Sequence, residues 1–282
     1  MGTILSFHAH PDDEAIASSG TLARAVDAGH RVVLVFGTRG ELGEPVPGVL
    51  AEGEQLGLRR TAEVYESART IGAHRVEFLG YTDSGMIGEP TNDVPWCFWQ
   101  ADVDHAARRL AAILDEERPD VLTIYDENGG YGHPDHIQVH RVGMRAAELV
   151  PVPVVAQGTM NRDLIQRALA MAHEMGIEVP DPTEVPDEPP ADLEAADGVT
   201  AAVTFGKPES ELTHVVDTSA VTARKRASVL AHASQIGPDH FMATMPDEVF
   251  AYVFGPEWYI VDERFEGEAP AVYAELFEPK AD

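Results

Sequence analysis

A chain of 282 residues with 44% hydrophobic side chains can bury a sizeable core, as one large domain or two smaller ones. Its formal net charge of −28 argues against nucleic acid and anionic membranes as partners, since any unspecialised surface repels them. No apolar run reaches the roughly 18 residues a membrane span needs, and Met1 leads almost directly into a strand-like segment rather than a secretory leader. Cys97, the single cysteine, excludes an internal disulfide and fits a reducing compartment, so a cytoplasmic location is expected. In chain order, Ile4 to His10 reads as a buried strand, and Ala15 to Ala28 carries helical spacing that stops at Gly29. Arg31 to Thr38 is a continuous apolar run typical of a strand covered on both faces. Leu56 to Ile71 reads as a helix, Arg75 to Leu79 as a short strand, Val103 to Glu117 as a helix and Val121 to Tyr125 as a strand. Pro134 to Leu149 is helical again and Val152 to Ala156 is a further strand. This alternation predicts an α/β, Rossmann-like three-layer sandwich with a mostly parallel sheet and a less regular C-terminal part.

In that later part, 181–197 is acidic and proline-rich and reads as a loop. Thr213 to Asp217 reads as a strand, and Val221 to His232 as a helix with Arg224, Lys225 and Arg226 on a solvated outer face. Ala251 to Phe254 and Tyr259 to Val261 read as late strands. Neither a repeat nor a linker is evident, so residues 1–282 are expected to form one domain.

The chemistry concentrates in two similar segments. His10-Pro11-Asp12-Asp13 follows the first strand, and His133-Pro134-Asp135-His136 follows the Val121 to Tyr125 strand; each precedes a helix. Ligand sites in open parallel sheets form beyond the carboxyl ends of strands, so two such segments can face one another across a crevice. Imidazole and carboxylate together suit zinc and its transition-series neighbours. His10 and Asp13 can converge on one ion with His136 as the third ligand, which leaves room for water and keeps Asp12 or Asp135 free as a base. The competing reading is ordinary helix-start chemistry, with Pro in the first turn and Asp12, Asp13 and Glu14 as caps. It explains one segment well and two poorly. His136 and His140 lack the Glu of a His-Glu-x-x-His zinc helix, so His140 is expected to be a supporting or surface residue. His8 is expected to be a buried, hydrogen-bonded histidine. A dinucleotide-binding module would need a G-x-G-x-x-G loop where His-Pro-Asp-Asp stands, and Gly37, Gly40 and Gly43 have the wrong spacing and read as a flexible turn. A sugar-binding protein without turnover would have no need for the full set of reactive side chains.

At these residues the chain resembles the PIG-L/LmbE family of zinc N-deacetylases. The matching segments are Ala9-His10-Pro11-Asp12-Asp13-Glu14 and Gly132-His133-Pro134-Asp135-His136. Arg60-x-x-Glu63, Asp83-Ser84-Gly85-Met86 and His232-x-Ser234-Gln235 match as well. The resemblance is strongest to the actinobacterial branch, which deacetylates N-acetylglucosaminyl-inositol or cleaves mycothiol S-conjugates. It implies one Zn²⁺ per chain on His10, Asp13 and His136. Asp12 is then the general base that takes a proton from the attacking water. His133 is implied as the protonated group that stabilises the oxyanion, with Asp135 orienting it, and Tyr131 polarises the carbonyl. Arg60 and Asp83 match positions that bind sugar hydroxyls, and Ser67, where the family usually has Ala, is expected to bear on substrate choice. The implied reaction hydrolyses the N-acetyl amide of an amino sugar or glycoside of the N-acetylglucosaminyl-inositol type, releasing acetate and a free amine. The alternative is an amidase for a mycothiol conjugate or a deacylase of an acylated natural product. The expected partner is thus a small-molecule glycoside, and a homo-oligomer is left open.

Overall fold

The computed structural model describes residues 1–174, 193–194, 200–201 and 205–280. The acidic segment expected over 181–197 lies outside them, Leu193 and Glu194 apart. The first half runs β1 (Thr3–His8), α1 (Asp13–Ala17), α2 (Ser19–Asp27), β2 (Arg31–Phe36), α3 (Leu56–Ile71) and β3 (Arg75–Phe78). It continues through α4 (Val103–Glu117), β4 (Val121–Tyr125), α5 (Pro134–Leu149), β5 (Val154–Thr159) and α6 (Arg162–Glu174). A short pair, β6 (Leu193–Glu194) and β7 (Thr200–Ala201), is followed by β8 (His214–Asp217), α7 (Thr222–Leu230), α8 (Phe241–Thr244) and α9 (Asp247–Phe254). β9 (Pro256–Glu263), α10 (Ala271–Leu276) and β10 (Glu278–Pro279) end the described chain.

One sheet has the strand order β10-β8-β9-β5-β4-β1-β2-β3. The five strands from β5 to β3 are parallel, as the alternating pattern requires, and β9, β8 and β10 extend that sheet antiparallel. Alternate residues of a strand face opposite ways, and both faces are covered. Leu5, Phe7, Val33 and Val35 pack with Leu110 of α4 and Val139 of α5. Ile4, Val32 and Leu34 pack on the other face with Leu22 of α2 and Val64 of α3. That makes three layers. Chain order reverses beside β1, with β2 on one side and β4 on the other, and a crevice opens at such a switch point.

Three expectations need correction. The helix expected over Ala15 to Ala28 breaks at Ser18, whose φ of −143° and ψ of −1° are not helical and whose hydroxyl lies 3.3 Å from Nε2 of His8. Ala251 to Phe254 is the last turn of α9 rather than a strand, because a four-residue apolar run cannot distinguish the two periods. The basic triplet of α7 is not a solvated face. Consecutive residues on a helix point about 100° apart, and Lys225 is only 2% exposed, paired with Glu257 at 2.6 Å. Arg226 reaches Asp247 and the carbonyls of Ala243 and Met245, while Arg224 bonds Asp27 and the Ala23 carbonyl.

Candidate active site

The two His-Pro-Asp segments leave the carboxyl ends of β1 and β4, adjacent parallel strands, so topology alone brings them together. Their side chains line a cavity of about 570 Å³. Nitrogen atoms of His10, His133 and His136 lie within 4.8 Å of one another, as do the ligand-capable atoms of His10, Asp83 and Asp135. Asp13 joins the two segments: Oδ2 is 3.5 Å from Nδ1 of His10 and Oδ1 is 3.3 Å from Nε2 of His136. Imidazole nitrogens crowded against buried carboxylates are the donor set of a divalent transition metal, so His10, Asp13 and His136 fit such an ion. The capping alternative holds in part at the first segment: the Asp12 side chain makes no cap hydrogen bond to α1, but Asp13 accepts the His10 N–H at 2.8 Å and Glu14 the Asp12 N–H at 3.0 Å. At the second, the ring of His133 caps α5 by accepting the Asp135 N–H at 3.1 Å.

Burial pushes the Asp12 carboxyl up to about 6, with the Arg60 guanidinium pulling the other way. Burial also acts on Asp13, but His136 and His10 hold that carboxyl well below its usual range. For His133, burial and the neighbouring His10 and His136 all depress the imidazole far below its usual value. Nδ1 of His133 accepts the Asp135 N–H, an arrangement that leaves a ring proton on Nε2.

Asp135 differs in part from expectation. Its carboxylate is fully buried and meets Nε2 of His10 at 3.1 Å and the backbone N–H of Ser84 at 3.0 Å, with a further bond from the Ser84 hydroxyl. Its carboxylate thus orients His10 while its backbone N–H holds the His133 ring, and a carboxylate behind an imidazole fixes its tautomer. Tyr131, 39% exposed, stands on a loop with Gly129, Gly130 and Gly132 at positive φ, and its hydroxyl is 3.4 Å from Nε2 of His136. His8 bonds Ser6 at 2.7 Å and Tyr125 at 2.9 Å, and His140 bonds the Tyr125 carbonyl, both as expected.

Arg60 and Asp83 both line the cavity but are committed to the protein. Asp83 accepts the N–H groups of Leu42 at 3.1 Å and Gly85 at 2.9 Å. Arg60, 4% exposed, donates from Nη1 to the Gly40 carbonyl at 2.8 Å and from Nη2 to the Pro11 carbonyl at 2.5 Å. Nη2 is also 3.1 Å from Asp12 Oδ1. The glycine turn expected to be merely flexible exists for this guanidinium, because a Cβ at Gly40 or Gly43 would strike it.

The sequence reading missed the supports. On α3, Arg60, Glu63 and Ser67 share one buried face at helical spacing. Glu63 accepts both the N–H and hydroxyl of Ser234, at 2.8 and 2.6 Å, which docks the His232-x-Ser234-Gln235 segment. Ser67 is fully buried and donates to Glu14 at 2.5 Å, so it supports the site rather than selecting substrate. Ser84 and Glu63 were visible as members of matched segments and Ser67 as a departure from the family, but their partners are 51, 171 and 53 residues away.

This sheet and crevice define an α/β enzyme with an imidazole–carboxylate centre at its switch point. Residues 5–147 match the family model described as PIG-L, GlcNAc-PI de-N-acetylase, and the chain belongs to that family. With the family comes the class of activity, amide hydrolysis by an N-deacetylase. The chain is 42% identical over 249 residues to the 1D-myo-inositol 2-acetamido-2-deoxy-alpha-D-glucopyranoside deacetylase of Thermobifida fusca, covering 83% of each protein. Its fold is similar to that of N,N'-diacetylchitobiose deacetylase from Pyrococcus horikoshii, with a TM-score of 0.59 and 19% identity over 93% of this chain and 84% of that one. A 4-carboxy-2-hydroxymuconate hydratase from Pseudomonas putida is similar too, at TM-score 0.58 and 17% identity, over 96% of this chain and 100% of that one. These two likenesses concern the fold alone, and a hydratase on the same scaffold means that the reaction must be argued from the site.

Proposed function

We propose that the chain removes the acetyl group from the amino sugar of an N-acetylglucosaminyl-inositol glycoside, using one zinc ion held by His10, Asp13 and His136, in the cytoplasm. The observation that carries this reading is the convergence of Asp12, Asp13, His10, His133 and His136 at one crevice. A bound zinc ion supplies Lewis-acid polarisation of the amide carbonyl and a water acidic enough to attack near neutral pH. Asp12, with its carboxyl raised to about 6 by burial, accepts the proton of the attacking water and returns it to the departing amine. His133 offers its Nε2–H to the oxygen on which charge develops, and the Tyr131 hydroxyl offers a second donor. Asp135 and Ser84 hold His10 in register.

The glycoside assignment rests on the relatives' named substrate and on polar side chains of the cavity. Glu44, Glu89 and Gln235 also line the cavity and can exchange hydrogen bonds with sugar hydroxyls. The test is amine release from N-acetylglucosamine, its inositol glycoside, a bimane mycothiol conjugate and acylated glycosides. The inositol glycoside should give the highest kcat/KM; preference for the bimane conjugate would replace the deacetylase reading with the amidase one. Metal analysis of protein purified without chelator should find about one zinc per chain, and unchanged zinc in His10→Ala, Asp13→Ala and His136→Ala would remove the ligand assignment.

A further inference from the structure

The peptide joining Pro11 to Asp12 is gripped at both ends. Its carbonyl accepts Nη2 of Arg60 at 2.5 Å, and its N–H donates to Oε2 of Glu14 at 3.0 Å. The orientation of that peptide plane sets φ of Asp12, which is 106°, a value side-chain-bearing residues avoid. Glu14 is itself fixed from behind. Its other oxygen accepts the Ser67 hydroxyl at 2.5 Å and lies 2.7 Å from Nε2 of His232. Glu14, Ser67 and His232 are all fully buried, and Ser67 meets Ser228 at 2.7 Å. One oxygen of Glu14 is thus anchored to α3 and to the segment after α7, while the other reaches forward to the residue before α1.

We propose that Glu14 is a positioning residue for catalysis: with Arg60 it locks the Pro11–Asp12 peptide in the orientation that presents the Asp12 carboxylate to the crevice. The proposal rests on Asp12 being the general base. The physical reason is that positive φ persists at a non-glycine residue only when its surroundings over-determine it. Without the Glu14 acceptor the Asp12 N–H loses its partner, the plane turns toward negative φ, and the carboxylate leaves its place beside the attacking water. His10 and Asp13 flank that peptide and are tied to each other across it, by the His10 N–H to Asp13 Oδ2 bond at 2.8 Å and the Asp13 N–H to His10 carbonyl bond at 3.3 Å, which hold the proposed metal ligands in place.

The test uses the full chain with N-acetylglucosaminyl-inositol as substrate. Glu14→Gln keeps an acceptor oxygen for the Asp12 N–H and should stay within about 3-fold of wild-type kcat, whereas Glu14→Met keeps the volume without the acceptor and should lose about 10²-fold in kcat. KM should change less than about 2-fold and zinc content not at all, since only positioning for the chemical step is removed. A crystal structure of Glu14→Met should show the Pro11–Asp12 peptide rotated, and in an Asp12→Asn background Glu14→Met should cost nothing further. If Glu14→Met does not fold because it strands His232, the pair Glu14→Met with His232→Leu carries the same comparison. An unrotated peptide, or a full additive loss in the Asp12→Asn background, overturns the proposal. Wild-type turnover in Asp12→Asn would instead remove the base assignment, while the crystallographic comparison still reads the clamp by itself.

Discussion

Asp12 holds a backbone angle that costs a non-glycine residue of order 1–3 kcal/mol, and it does so beside the groups that make the cavity reactive. Burial lifts the Asp12 carboxyl to about 6 while Arg60 pulls it down, and a bound cation would favour the carboxylate further, the form that accepts a proton. Asp12→Asn keeps the shape and loses the base, so turnover should fall by ~10²-fold or more with metal retained; near-wild-type turnover would remove Asp12 from the chemistry. Arg60 calls for a different experiment from the one its sequence position suggests. An arginine with free donors would affect KM for a glycoside, but Nη1 and Nη2 are spent on Gly40 and Pro11. A lysine offers one ammonium point where the guanidinium spans two carbonyls and Asp12. Arg60→Lys should therefore lower kcat about ten-fold or more for a glycoside and a small amide alike. A KM effect confined to the glycoside would return Arg60 to substrate binding. At this scale the reactive side chains were legible, because His-Pro-Asp recurs after two strands. The residues that aim them were not, since Glu14 meets His232 across 218 positions and no local pattern encodes that.

At the scale of elements, most of the parallel half was legible from apolar runs and helix stops, because β1, β2 and β4 are buried on both faces. The join of α1 and α2 was not legible, and its cause lies elsewhere in the chain. The N-cap of α2, Ser18, makes no capping bond through its side chain. The first amides are served instead by Glu257 of β9, whose carboxylate accepts Gly20 at 2.9 Å and Thr21 at 2.8 Å. Lys225 of α7 balances that charge from the other side at 2.6 Å. This cluster ties β9, α2 and α7 together at the wall of the cavity, which Lys225 and Glu257 help to line. Removing its members should be unequal in effect. Glu257→Ala strands a buried ammonium and two helix-start amides, which should cost about 3–5 kcal/mol. Lys225→Met leaves the carboxylate still bonded to two amides at a helix N-terminus, a favoured place for an anion, so it should cost less. Urea denaturation of both variants checks the order, and equal losses would mean that the pair acts only through its mutual attraction.

For the whole molecule, the fold gathers reactive groups where two parallel strands part, while acidic charge accumulates over the rest of the chain. Acidic side chains number 48 against 20 Lys and Arg, and at neutral pH their mutual repulsion works against the compact state. Opposing this are ion pairs such as Arg31 and Arg75 with Glu117, at 2.7 Å each. Salt acts on both. It screens the long-range repulsion over a Debye length of about 10 Å at 0.1 M, and it weakens the surface pairs, which are worth only about 0–1 kcal/mol each. The repulsive surplus involves 28 uncompensated charges, far more than the pairs can offset, and the buried Lys225–Glu257 and His232–Glu14 contacts lie beyond the reach of mobile ions. Raising sodium chloride from about 0.02 to about 0.5 M at pH 7 should therefore raise the urea midpoint of the zinc-loaded protein, since the screening length shrinks several-fold over that range. Zinc occupancy must be measured at both salt concentrations so that metal loss does not imitate the effect. A midpoint that falls with salt would mean that local pairing outweighs the repulsion.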